Sequence, residues 1–119
     1  MKLQMHDHNL RVRIEEAELR RLLAGDTVDN HTTLSSGIRL QQTIRLDDID
    51  TPSLQGTASV WTLSLPAANV REYAQRLPTK EGLQFELGNP DGPNLGLRFD
   101  VDARDSARQR LGSKPKPSP

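Results

Sequence analysis

The sequence predicts one small α+β domain built from two similar β-rich halves, each with one helix packed on antiparallel strands, as a sheet or partly closed barrel. Three observations carry that expectation. Apolar alternation gives way to a helical stripe twice along the chain, at Leu10–Leu23 and again at Trp61–Leu77. A shift of 51 residues lays one stretch on the other without a gap from residue 3 to residue 25. Turn-forming residues separate several further alternating runs, which suits hairpins.

The first half opens with Leu3 and Met5, expected to pair back through a turn at 6–9 onto Leu10, Val12 and Ile14. Those three alternate with Arg11 and Arg13, the period of a half-buried strand. Leu19, Leu22 and Leu23 then form one stripe of a helix. Glu15, Glu16 and Glu18 crowd its first turn, where the helix dipole favours negative charge, and Gly25 suits its end. A weaker strand is expected near 27–34. After Ser36-Gly37 comes a stronger one, with Ile38, Leu40, Ile44 and Leu46 on one face and Gln42 interrupting it.

The second half repeats the order after an acidic connector at 47–52. Leu54 is expected to pair onto Trp61, Leu63 and Leu65. Pro66 leads into a helix marked by Val70, Tyr73, Ala74 and Leu77, and Pro78 stops it. Leu83, Phe85 and Leu87 form a strand; after a loop at 88–94, Leu95, Leu97, Phe99 and Val101 form another. The halves thus run from about 1 to 46 and 53 to 102 within a single domain at 1–112. A short helix over 102–111 and a disordered tail at 113–119, made only of Lys, Pro and Ser, complete the expectation. The core is expected to centre on Leu10, Val12, Ile14, Leu22, Trp61, Leu63, Leu65, Phe85, Leu97 and Phe99.

Composition narrows the function classes. Sixteen basic and sixteen acidic residues leave a formal net charge of zero, so no global field draws the protein to nucleic acid or an anionic membrane. There is no cysteine, which excludes disulfides and thiol chemistry. No apolar run is long enough to cross a membrane, and the N-terminus carries no signal-like stretch, so the cytoplasm is the expected compartment. No nucleophile motif and no phosphate-binding loop is present; no catalytic residue, metal ligand set or cofactor is expected. His6 and His8 share a strand phase, and Asp47, Asp48 and Asp50 crowd the connector, but both are read as solvated segments.

One constellation stands out. Arg11, Arg13, Arg39, Arg45 and Arg98 all occupy the polar phase of their strands. On one sheet face they would hold phosphates or carboxylates bidentately; otherwise they solvate the sheet.

The stretch Leu10-Arg-Val-Arg-Ile-Glu-Glu-Ala-Glu-Leu-Arg-Arg-Leu-Leu-Ala-Gly25, with the opening Met1-Lys-Leu-Gln-Met5, the segment Leu63-Ser-Leu-Pro-Ala-Ala-Asn-Val-Arg-Glu-Tyr-Ala74 and the late strand, resembles a family of small bacterial proteins of unknown function over roughly residues 1 to 102. That resemblance implies a shared fold and no activity. A cysteine often follows the last strand in that family; residues 100–104 have none. A shorter likeness, carried by Arg13-Ile14, Leu22-Leu23, Gly25-Asp-Thr-Val28 and Leu65-Pro-Ala-Ala68, is to AbrB-type swapped-hairpin regulators and antitoxins. It implies DNA binding. The leading expectation is a non-catalytic binding or interaction domain. DNA binding of the AbrB type and capture of a phosphorylated small molecule through the arginines are the alternatives. A homodimer or a protein partner is compatible with all three.

Overall fold

The computed structural model describes residues 1–102. The helix expected over 102–111 and the tail at 113–119 lie outside the described residues, except for Asp102, which closes the last strand. In chain order the elements are β1 (Lys2–His6), β2 (Asn9–Glu15), α1 (Glu16–Leu23), β3 (Val28–Ser35), β4 (Ile38–Asp47), β5 (Ser53–Gly56), β6 (Val60–Pro66), α2 (Ala67–Gln75), β7 (Leu83–Leu87) and β8 (Leu95–Asp102).

Local chemistry accounts for the punctuation. Asp7 and His8 form the two-residue turn between β1 and β2, both at positive φ (46° and 63°). That backbone matches the right-handed twist of a hairpin. The Glu18 carboxylate accepts the Glu15 N–H at 2.9 Å, satisfying one donor at the start of α1. At its end Gly25 takes φ 97°, and the N–H groups of Gly25 and Asp26 close onto the Leu22 and Arg21 carbonyls. Gly37, at φ 79°, turns β3 into β4.

The halves repeat in register. Lys2 pairs with Arg13 and Leu3 with Val12; 51 residues on, Ser53 pairs with Ser64 and Leu54 with Leu63. Val28 pairs with Ile44, and 55 residues on Leu83 pairs with Phe99. The offset grows by four because α2 is one residue longer than α1 and the connection into β7, residues 76–82, is three residues longer than its counterpart at 24–27.

The expectation of α+β halves holds; the sheets are open rather than closed into a barrel. The strands form two four-stranded sheets. Sheet I has the order β1-β2-β8-β7 and sheet II the order β3-β4-β6-β5, so each takes one hairpin from each half. The hairpins are antiparallel, but the central pairs that join the halves, β2 with β8 and β4 with β6, are parallel.

One apolar core is shared by both sheets and both helices. Val12, Ile14, Leu97 and Phe99 enter it from sheet I, Val28, Ile44, Leu63 and Leu65 from sheet II, and Leu22, Val70 and Tyr73 from the helices. Each helix packs on strands of both sheets. Trp61 and Phe85, expected in the core, are half-buried at its margin. Gln42 is buried where its counterpart is Leu97. Its carbonyl oxygen accepts from Asn30 Nδ2 at 3.1 Å, so the interruption in the apolar alternation is a satisfied buried amide. No helix among the described residues is long and apolar enough to cross a membrane.

Candidate functional site

The outer face of sheet I carries the polar phase of its strands. There the parallel register sets Arg11 beside Arg98 and Arg13 beside Asp100. The five arginines therefore divide. Arg11, Arg13 and Arg98 share this face, whereas Arg39 and Arg45 lie on β4 in sheet II. Arg45 is paired with Asp47, Nη2 to Oδ1 at 2.9 Å. Arg39 is exposed at the outer end of β4.

Adjacent guanidiniums on neighbouring strands repel, and Asp100 offsets that repulsion. Its carboxylate is buried at 6% exposure. Arg11 donates to it from Nη2 at 2.6 Å and from Nε at 3.4 Å. Hydrogen bonding and charge from Asp100 raise the Arg11 pKa further. Arg98 is held more loosely, with Nη2 3.7 Å from Asp100, and Arg13 sits 3.9 Å from Asp102. Both separations exceed hydrogen-bond length. The Nε atoms of Arg13 and Arg98 are buried and have no hydrogen-bond partner among the described residues.

The face is grooved. A cavity of about 360 Å³ has Gln4, His6, Asn9, Arg11, Gln84 and Arg98 in its lining beside the apolar Leu10, Phe85 and Leu97, with no carboxylate among the described residues that line it. A second, of about 460 Å³, adjoins it through Gln4 and Arg11 and adds Lys2, Arg13, Glu15 and Asp102. Gly96 floors the first cavity. A Cβ there would run into Oδ1 of Asn9. A glycine inside an alternating strand marks such close approach, so Leu95-Gly-Leu-Arg-Phe99 held a legible sign of this groove. Asp100 was legible only as part of the polar phase, with nothing to show that it is buried.

The equivalent face of sheet II serves as an internal comparison. The pair Arg11–Arg98 corresponds to Thr62–Thr43, and Arg13–Asp100 to Ser64–Arg45. Where Gly96 stands in sheet I, Gln41 stands in sheet II. The same backbone is built there without clustered guanidiniums and without a buried carboxylate.

The other candidates do not converge. His6 ends β1, His8 lies in the following turn and His31 is on β3 in the other sheet. Asp47 engages Arg45. Among the described residues no three His, Asp or Glu side chains group as metal ligands.

No family model, curated protein or solved structure matches this chain.

Proposed function

We propose that the protein is a cytoplasmic, non-catalytic binding domain that holds an anionic group, a phosphate or a carboxylate, on the outer face of sheet I. The observation that carries this reading is the contrast between equivalent positions: Arg11, Arg13 and Arg98 around Asp100 in one sheet, Thr62, Ser64 and Thr43 around Arg45 in the other. The fold is served by small hydroxyl side chains at those positions, so clustering three guanidiniums over a buried carboxylate is no requirement of the sheet. Arg11 is committed to Asp100 and shapes the site. The terminal nitrogens of Arg13 and Arg98 stand 3.9 Å from Asp102 and 3.7 Å from Asp100, and Arg98 Nη2 donates to the Lys80 carbonyl at a long 3.4 Å, so both guanidiniums are loosely held, and a planar guanidinium suits an oxyanion in two-point contact.

Thermal unfolding with inorganic phosphate tests the reading. A ligand at tenfold its Kd stabilises the folded state by about 1.4 kcal/mol. The expected result is a rise in Tm that saturates with phosphate and disappears in the Arg13→Gln/Arg98→Gln double variant. The same rise persists in Arg39→Gln/Arg45→Gln. An unchanged Tm, or an equal rise in all three proteins, defeats the proposal.

A DNA-binding regulator is the second reading. It is favoured by the exchange of hairpins between the halves, the arrangement implied by the AbrB-type likeness. Binding to duplex DNA that weakens steeply with salt would support it over capture of a small anion.

A further inference from the structure

We propose that the free edge of β3 is a self-association surface, and that two copies of this chain join antiparallel along it into one continuous eight-stranded sheet. Sheet II ends at β3 on one side, and sheets with free edges are managed by short strands, charge, proline or cover. The other edges follow that practice. β5 has four residues between Pro52 and Thr57; β1 has five and begins with Lys2; β7 has five, carries Glu86 and lies between Gly82 and Gly88. β3 has eight residues, with no glycine, proline or lysine; its one acidic residue, Asp29, and its one bulge, between Thr33 and Ser35, lie towards its two ends, and Thr32 and Thr33 between them are uncharged and exposed.

The equivalent edge in the other half makes the difference plain. β7 stops at Leu87, whereas β3 runs on to Ser35 and carries its hairpin further. Leu34 and Ile38 at that extension are 63% and 49% exposed. Paired elsewhere in its own sheet, Asp29 already binds the Thr43 hydroxyl at 2.7 Å.

The edge is complementary to itself. An antiparallel pairing about a two-fold axis at Thr32 sets Thr32 against its own copy and His31 against Thr33, the last position before the strand bulges. No two like charges oppose, and threonine pairs are favourable across strands. This pairing keeps the apolar faces of both sheets on the same side. The bulge between Thr33 and Ser35 shifts register at the tip only, leaving Val28–Thr33 regular. A two-fold contact of this kind closes on itself, so it ends at a dimer rather than a fibre.

Sedimentation equilibrium across a concentration series reads the association. The wild type is expected to double its mass as concentration rises. Thr32→Lys, which places two ammonium groups face to face, is expected to stay at monomer mass, as is Thr32→Glu. An equimolar mixture of the two is expected to recover the dimer. A cysteine-free chain offers a second probe: Thr32→Cys is expected to form a disulfide-linked dimer under mild oxidation, while Gln55→Cys on the β5 edge is not. A wild type that stays monomeric throughout overturns the proposal. So does a dimer that both charged variants retain, or one in which the two cysteine variants cross-link equally.

Discussion

Sheet I and sheet II repeat one strand arrangement with different surface chemistry. At equivalent places the first holds Arg11, Arg98, Arg13 and Asp100 and the second holds Thr62, Thr43, Ser64 and Arg45. Inside, the two agree: Phe99 matches Ile44, and Val12 matches Leu63, all fully buried. The interior is held to apolar groups by the free energy of packing, while the outer faces are released to diverge. An internal repeat therefore separates what the fold needs from what one half alone carries.

The largest effect should come from the shared interior. Phe99→Ala should destabilise by about 3–5 kcal/mol, and Ile44→Val at the matching place by about 0.5–1.5 kcal/mol. Denaturant titration of the two variants checks this. A loss below 1 kcal/mol for Phe99→Ala would mean that the sheets do not share a tightly packed core.

A smaller effect should fall on one half only. Tyr73 matches Leu22 in the repeat, and its hydroxyl accepts the Val101 N–H at 2.9 Å. Tyr73→Phe leaves that buried N–H without a partner and should cost about 1–3 kcal/mol. Burial is the main cause that raises the Tyr73 pKa above 10.0, with Asp100 adding to it. Between the unfolded value near 10 and the raised folded value, the unfolded chain releases a proton that the folded chain keeps. Stability should therefore fall as pH rises above about 10. Tyr73 is the one tyrosine of the chain, so phenolate absorbance reports its titration directly. An apparent pKa at or below 10 in the folded protein would contradict the buried contact.

On the outer faces the effects should be smaller and unequal. Asp100→Asn removes the charge that Arg11 and Arg98 share and should cost roughly 1–2 kcal/mol, moderated by the partial exposure of both arginines. Arg45→Gln at the matching place should cost less than about 1 kcal/mol, because its pair with Asp47 is exposed. Equal losses from chemical denaturation would erase the distinction between the faces.

Much of this was legible because it is local. Alternation at Leu10-Val12-Ile14 and Leu63-Leu65 reports a strand, and the stripe Leu19-Leu22-Leu23 reports a helix, whatever surrounds them. The hairpin turn at 6–9 was legible too. What alternation does not encode is the neighbour. Arg11 and Arg98 stand side by side across most of the chain, and nothing in either strand specifies a parallel partner from the other half. For that reason all five arginines shared a phase in the sequence but only three share a face. Gln42 and Asp100 escaped for a related reason: a polar residue reads as exposed until its partner, Asn30 or Arg11, is brought to it by the fold.

The exchange of hairpins also bears on how the chain is made. During synthesis β2 emerges early and can pair with β1, yet its other neighbour in sheet I is β8, the last of the described elements. Sheet I stays incomplete on the ribosome until almost everything has been translated, and such long-range pairing slows folding. The link at 48–52 contributes no strand to either sheet. A chain cut there loses one covalent join and none of its ladders, so the separately produced pieces 1–50 and 51–119 should reassemble into the whole when mixed.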